Sequence, residues 1–222
     1  MLTGQAAVRS YSFILELACA VAIMLGTTFH AVSSRASEAN PAEIFIQQNI
    51  DRGNAILNNA GLSDVQRHAQ FRSFILSVTD PRRIGMFTLG PYANGASKAV
   101  IDAFIAAFSD YLVANYESGL TKYKGKTMKV TGSIQRAPDD VVVNVRVVDP
   151  DNADAQAITV AFRVRKAAGG RPVVTDIRVE GIWFALSDRS DFTDFLQQHR
   201  GSIPALIQLL KMKAQHINDL PG

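Results

Sequence analysis

The sequence predicts an α+β fold in which a twisted antiparallel four-stranded sheet packs against several helices and encloses an apolar cavity. Three observations predict it: four stretches alternate between apolar and polar residues, short turns join them, and helical patterns flank them in the chain. Alternation with a period of two places the apolar residues on one face of each strand. A sheet with one apolar face needs a cover on that side, which we expect the helices to supply.

Paired capping and proline signals mark the starts of the first three helices. Asn40-Pro41 places a good N-cap residue before a proline suited to the first helical position. Ser63 and Gln66 form a capping box, which predicts the start of a second helix. Asp80-Pro81 repeats the first signal and predicts a short third helix that continues through Phe87.

A longer fourth helix is predicted from Ser97 to Ser118. Phe104, Phe108 and Leu112 recur at every fourth position, which places them on one side of a helix. The sequence leaves two interpretations of these aromatic rings open. They pack in an ordinary core, or they line a ligand cavity.

Four strands are predicted between Lys126 and Phe184, in the order of a meander. Turn-forming residues occupy 137–140, 149–152 and 168–170, and such short connections favour antiparallel neighbours. The expected apolar face takes alternate residues from each strand: Met128, Val130 and Ile134; Val141, Val143, Val145 and Val147; Ile158, Val160, Phe162 and Val164; Val173, Ile177 and Val179.

Two more helices are predicted after the sheet. Asp191 is a good N-cap residue, and we expect a helix to begin there. Gly201 interrupts the helical pattern, and Leu206 and Leu210 lie on the apolar side of a last amphipathic helix. We expect a single domain over residues 37–213 and a flexible tail over residues 214–222.

Residues 1–36 have the pattern of a secretory signal peptide. Arg9 precedes an apolar stretch, and Ser34-Arg35-Ala36 offers small residues at the positions of a cleavage site. We therefore expect export, with cleavage after Ala36. The alternative is an uncleaved anchor, although the unbroken apolar run is shorter than the ~20 residues that a helical span needs. Cys19, the only cysteine, lies in this segment, so the exported domain would contain no disulfide.

Few residues have the patterns of catalytic or metal sites. The net charge of +3 and the lack of basic blocks argue against nucleic-acid binding. The histidines lack the spacing of metal ligands and no phosphate loop or nucleophile motif occurs, so we expect no metal and no cofactor. Asp176 and Glu180 are expected to form surface ion pairs with Arg163 or Arg165 and to be structural, not catalytic.

Several segments, taken in order, resemble the MlaC-like, or toluene-tolerance, family of periplasmic lipid carriers. The resemblance covers about residues 43–212, and its most specific part is the segment 176–181 followed by Arg189. The chain departs from the family pattern at Ala93, Pro172 and Trp183, which we expect to lie near the cavity. The other matching residues are Leu89-Gly90-Pro91-Tyr92, Phe104, Phe108, Tyr116, Leu120, Tyr123, Phe192, Gly201, Leu206, Ile207 and Leu210.

The resemblance implies a carrier that holds the acyl tails of a phospholipid in a deep pocket between the sheet and the helices. Such a carrier shuttles lipid across the periplasm between an outer-membrane lipoprotein complex and an inner-membrane ABC transporter complex. It uses no covalent chemistry, so we expect no enzyme activity. A related branch of the family is associated with hopanoid synthesis genes, and membership of that branch stays open.

The sheet face and the aromatic spacing together predict the wall of the cavity. An enzyme of similar shape would need an acidic residue on the apolar face, and none occurs at the inward positions of the predicted strands. An adaptor that binds membrane complexes through its surface is the other alternative. The predicted lining residues are Val143, Val145, Phe162 and Ile177 from the sheet and Tyr92, Phe104 and Phe108 from the helical side.

Overall fold

The structure, a computed structural model, describes residues 40–152 and 156–218. The predicted leader, its cleavage site and the alternative anchor lie outside the described residues. The elements follow in chain order: α1 (Pro41–Leu57), α2 (Asp64–Val78), α3 (Pro81–Leu89), a 3₁₀ turn (Gly90–Ala93), α4 (Lys98–Thr121), β1 (Thr127–Ala137), β2 (Asp140–Val148), β3 (Ile158–Lys166), β4 (Pro172–Val179), β5 (Ile182–Trp183), α5 (Phe184–Gln198) and α6 (Ile203–Asn218).

The first four helices begin where their capping residues predict. The side chain of Asn40 accepts a hydrogen bond from the Ala42 N–H at 2.9 Å, and Asp80 accepts one from the Arg83 N–H at 3.0 Å. Ser63 and Gln66 form both bonds of the capping box. Each bond satisfies a backbone donor that a helix start leaves without a partner. The predicted starts of these helices are therefore confirmed.

The predicted start of α5 at Asp191 is wrong, because the helix begins at Phe184. Its cap comes from another element. The Asp176 carboxylate, on β4, accepts the Ala185 N–H at 2.9 Å, whereas Trp183 at the N-cap position makes no side-chain capping bond. At the other end of the chain, α6 continues to Asn218, beyond the predicted start of a flexible tail at residue 214.

The sheet is an antiparallel meander in the order β1-β2-β3-β4-β5. The predicted four strands correspond to β1–β4, and β5 is a short addition that pairs with the end of β4. Val143 pairs with Phe162, and Phe162 pairs with Ile177, so these three residues form one row across the sheet. The predicted α+β fold with an antiparallel sheet packed on helices is confirmed.

Two β-bulges change the predicted faces. A register shift between Val130 and Gly132 moves Ile134 to the outer face, where 58 % of it is exposed. A second shift between Arg163 and Val164 leaves Thr175 without a partner on β3 and pairs Val164 with Val174. Val174, not Val173, therefore belongs to the apolar face. Strict alternation fails at both places because a bulge inserts one residue without a partner.

The domain has two apolar cores. The helical core is centred on α4, whose rings of Phe104 and Phe108 stack with centroids 5.8 Å apart. The sheet core is formed by the inner face of the sheet with Ile46 and Ile50 of α1. Helix α1 packs on β1 and β2, whereas β4 is contacted by α2, α3 and α5.

Helix α4 is the one described helix that is long and apolar enough to cross a membrane by length and composition. It packs against α2, α3 and α6, and its apolar residues form the centre of the helical core. A core helix explains its composition fully.

Candidate functional site

An apolar cavity of about 260 Å³ lies between the helical core and the sheet core. Its described lining contains no acidic residue, and its polar members are amides, hydroxyls and one lysine. The lining residues come from α1, α2, the C-terminal half of α4, the sheet and the start of α5: Ile46, Asn49, Ile50, Gly53, Asn54, Leu57, Phe74, Ile75, Val78, Thr79, Asn115, Tyr116, Gly119, Leu120, Lys122, Tyr123, Met128, Val160, Phe162, Val174, Ile177, Val179 and Phe184.

Close packing of α1 on α2 shapes one wall of this cavity. Gly53 faces Phe74, and a Cβ at Gly53 would lie 3.2 Å from the Phe74 ring. The glycine therefore lets the two helices approach. The opposite wall is formed by residues of β3 and β4: Val160, Phe162, Val174, Ile177 and Val179. The start of β4 is joined to the C-terminal end of α2 by a parallel bridge between Val174 and Thr79, the residue that follows α2.

The cavity reaches the surface where α4 ends and α5 begins. Lys122 is exposed there, and Phe184 is 36 % exposed. Tyr116 and Tyr123 supply the phenolic hydroxyls of the lining. Burial raises the pKa of Tyr116 far above its ordinary value and also raises the pKa of Tyr123, to which Glu180 contributes. Both phenols are therefore neutral at physiological pH and able to donate hydrogen bonds.

Two of the seven predicted lining residues, Phe162 and Ile177, line this cavity. Val143 and Val145 lie on the correct face of the sheet but belong to the sheet core, where α1 packs on β2. The other predicted residues belong to the helical core or pack against it: Tyr92, Phe104 and Phe108.

The sequence prediction missed the lining residues on α1 and at the end of α4. Ile46, Ile50 and Leu57 follow the helical spacing of a buried stripe, which does not tell a cavity wall from a core. Gly53 and Gly119 are the residues that could have indicated a cavity wall. A glycine on an apolar stripe leaves space beside the helix or lets another element approach closely. Of the family departures, Ala93 and Pro172 do not line the cavity, whereas Trp183 adjoins the lining residue Phe184.

The buried carboxylates serve the fold and lie outside the lining. Asp176 accepts N–H groups from Ile177 and Ala185, each at 2.9 Å, and burial raises its pKa. Asp188 accepts the Tyr111 hydroxyl at 3.0 Å, and burial raises the pKa of Asp188 to about 6. No group of three metal-binding side chains occurs among residues 40–152 and 156–218.

The ion pairs predicted for Asp176 and Glu180 are formed instead by Asp140. Its carboxylate contacts Arg163 at 2.5 Å and Arg165 at 2.7 Å across β2 and β3. The Arg163 hydrogen bond is the main reason that the pKa of Asp140 lies well below its usual range. Asp140 is the first residue of β2 and directly follows turn-forming residues, so its place in the sequence does not indicate that it pairs across the sheet.

A polar groove adjoins the cavity at the end of α4. It shares Leu57 and Lys122 with the cavity, and in its wall His68 Nδ1 lies within hydrogen-bond distance of Glu117, at 2.5 Å. Its remaining residues include Arg67 and Lys124. Asp64, paired with Arg67, also lines the groove, so charged side chains of both signs lie beside the apolar cavity.

The residues of the most specific sequence motif form the turn between β4 and β5 and join α5 to α3. Glu180 and Gly181 have φ values of +48° and +92°, which form a tight turn between β4 and β5. Arg189 donates a hydrogen bond to the Phe87 carbonyl at 3.2 Å, and its guanidinium lies over the Phe87 ring. A Cβ at Gly90 would lie 3.1 Å from Arg189, so the glycine leaves room for this contact.

The comparisons with known proteins agree with this architecture. A family model described as MlaC protein matches residues 47–212. The chain belongs to the MlaC family. The resemblance read from the sequence is thereby confirmed, and MlaC proteins are periplasmic.

A solved structure of a phospholipid-binding protein from Ralstonia solanacearum, in complex with a phospholipid, has the same fold. It is 22 % identical in sequence, with a TM-score of 0.67, and the match covers 80 % of this chain and 99 % of that one. The likeness extends over nearly all of that protein, so this MlaC chain shares its complete fold.

Proposed function

We propose that this MlaC protein is a periplasmic lipid carrier that holds acyl tails in the cavity between its helical and sheet cores. The observation that carries the proposal is the lining itself, which is mostly apolar, reaches the surface at Lys122 and Phe184, and is free of acidic residues in the described chain. Family membership and a phospholipid complex of a protein with the same fold support it.

The size of the cavity indicates how a lipid would be held. Ligand pockets commonly measure about 300–1,000 Å³, and this cavity of about 260 Å³ is slightly smaller. Full uptake of a phospholipid therefore requires the two cores to separate. We expect the headgroup to stay at the mouth beside Lys122, because Lys122 is the one cation of the described lining and the polar groups of the interior are neutral.

Energetics favour a carrier that exchanges lipid with membranes. Burial of an acyl chain from water yields ~0.8 kcal/mol per CH₂. Two chains of roughly 16 carbons would thus yield on the order of 25 kcal/mol, beyond the limit of about 20 kcal/mol for non-covalent affinity. A bilayer already keeps the tails out of water, so the free energy of moving a lipid from the bilayer to the carrier is close to zero. Release of the lipid then requires a partner that competes for the tails.

The proposal includes the cellular route. A leader at residues 1–36, cut after Ala36, would direct the chain to the periplasm. The donor and acceptor would be an outer-membrane lipoprotein complex and an inner-membrane ABC transporter complex, as the family resemblance implies. An apolar lining accepts the rings of a hopanoid as well as acyl tails, so both classes of lipid are candidates.

The first prediction is that protein purified from the periplasm of its native cells carries lipid. The full chain is expressed with its leader and purified without detergent. Its intact mass is expected to begin at Ser37, and mass spectrometry of an organic extract is expected to find phospholipid or hopanoid in near-stoichiometric amount. A periplasmic protein of similar size, purified in parallel, controls for carried-over membrane. An extract no richer in lipid than that control contradicts the carrier.

A further inference from the structure

The turn from β4 into α5 exposes a run of large apolar side chains beside the cavity mouth. Ile182 is 61 % exposed, Leu186 57 % and Phe184 36 %. Trp183, between them, is half-buried. We call residues 179–186 the apolar hairpin. Exposed apolar side chains are common singly, but a contiguous run of this kind marks an interaction site.

The apolar hairpin continues the wall of the cavity to the surface. Val179 pairs with Ile182 across the two strands, so their side chains lie on the same face of the sheet. Val179 lines the cavity, and so does Phe184. An apolar path therefore runs from the lining through Phe184 and Ile182 to solvent.

The backbone holds these side chains in place. Glu180 and Gly181 form the tight turn, and the Asp176 carboxylate caps the helix that begins at Phe184. The exposure of Ile182 is thus a feature of a structured hairpin. An exposed Ile182 side chain contributes little burial free energy to folding, and this favours a role for Ile182 in binding.

Charged and aromatic groups around the hairpin fit a lipid surface. The Arg178 guanidinium lies over the Trp183 ring, 5.1 Å from its centroid, and Lys122 is exposed at the same mouth. Glu180 is the carboxylate of the turn. Tryptophan beside basic residues is typical of segments that lie at membrane interfaces, and two cations against one carboxylate favour an anionic surface.

We propose that the apolar hairpin docks on an anionic lipid bilayer, with Ile182, Phe184 and Leu186 inserted among the acyl chains. The inference rests on the proposed carrier function, since docking would place the cavity mouth against the tails to be exchanged. A protein partner is the weaker choice. A standard protein interface takes about 20–30 residues a side, whereas this patch is one hairpin and a bilayer demands no matching shape.

The chain carries its own reporter for this proposal, because Trp183 is its only tryptophan. Periplasmic protein is mixed with vesicles of phosphatidylethanolamine and phosphatidylglycerol. The Trp183 emission is expected to shift to shorter wavelength, and the protein is expected to sediment with the vesicles. Vesicles with brominated acyl chains are expected to quench the emission, and vesicles of phosphatidylcholine alone are expected to bind less protein.

A double variant tests the inserted side chains while keeping the reporter. Ile182→Ser with Leu186→Ser is expected to weaken sedimentation with vesicles about tenfold or more, since two apolar side chains no longer insert. Ile134→Ser with Met212→Ser is the matched control, because these side chains are 58 % and 59 % exposed and lie on β1 and α6, outside the hairpin, the cavity and the groove. That variant is expected to bind vesicles like the wild type. Thermal melting checks that both variants are folded.

The outcomes separate this inference from the carrier proposal. Protein that carries lipid but neither sediments with vesicles nor shows quenching overturns docking and leaves the carrier intact. Equal sedimentation of the wild type and the double variant also overturns it. Sedimentation only when membrane proteins are present in the vesicles assigns the hairpin to a protein partner and overturns it as well. Docking by protein that carries no lipid contradicts the carrier alone.

Discussion

At the scale of single residues, Asp176 has a role that its own position in the sequence does not reveal. It lies in β4, yet its carboxylate caps α5 by accepting the Ala185 N–H. It also accepts the Ile177 N–H, so the carboxylate is buried with two backbone partners. Asp191 has the stronger local signal for a cap, but it lies inside α5 and is exposed.

The second prediction compares these two aspartates. Asp176→Ala is expected to lower the free energy of unfolding by about 1–2 kcal/mol, because the first turn of α5 loses its cap and buried N–H groups lose their acceptor. Asp191→Ala is expected to change it by less than about 0.5 kcal/mol, as for other exposed positions. Urea unfolding measures both variants. A larger loss from Asp191→Ala would contradict the assignment of the cap.

At the scale of elements, features that depend on neighbouring residues were predicted well. Features that depend on contacts between residues distant in the sequence were not. The starts of α1, α2 and α3 follow from a residue and its neighbours within one turn, so the sequence was sufficient. The start of α5 depends on a carboxylate from another strand. The bulges that turn Ile134 outward and exchange Val173 for Val174 depend on pairing with a second strand. Periodicity within a single segment contains none of this information.

The β4–β5 turn shows how an element can depend on one backbone conformation. A glycine directly after an alternating strand, as Gly181 is, suggests a bulge or the close approach of another group. No atom lies within 4 Å of a Cβ built on it, so space is not the constraint. Its φ of +92° is the constraint, because side chains with a branched Cβ rarely adopt that region.

The third prediction follows from this distinction. Gly181→Val is expected to lower the free energy of unfolding by about 1–3 kcal/mol through backbone strain. Gly181→Asn is expected to cost clearly less, because asparagine tolerates left-handed conformations. Thermal melting of the two variants provides the comparison. Equal losses would mean that the turn tolerates no side chain, contrary to the open space around Gly181.

At the scale of the whole molecule, the sequence identified the apolar face of the sheet but not the part of it that stays open. Val143, Phe162 and Ile177 form one row and share one pattern of alternation. What separates them is α1, which packs over β1 and β2 and leaves β3 and β4 to the cavity. For Phe104 and Phe108, too, the sequence pattern does not distinguish a cavity position from a core position. Helical spacing predicted their burial, and only the packing of α4 on its neighbours assigns them to the helical core.

That shared row provides the last prediction, because it contains a cavity position and a core position. Ile177→Trp is expected to fill the cavity, displace the co-purified lipid and leave the melting transition of lipid-free protein nearly unchanged. Val143 is fully buried, so Val143→Trp is expected to cost typically 1–3 kcal/mol or more through overpacking. Protein of that variant that stays folded is expected to keep its lipid.

Lipid per protein, measured by mass spectrometry, and the melting temperature of delipidated samples together separate the two effects. The cavity variant should lose lipid without losing stability, and the core variant should lose stability without losing lipid. A melting temperature that falls equally in both variants, with lipid retained in Ile177→Trp, would mean that the space beside Ile177 is packing imperfection in a continuous core. Acyl tails would then have to bind elsewhere, and the row of the sheet that connects the two cores would be purely structural.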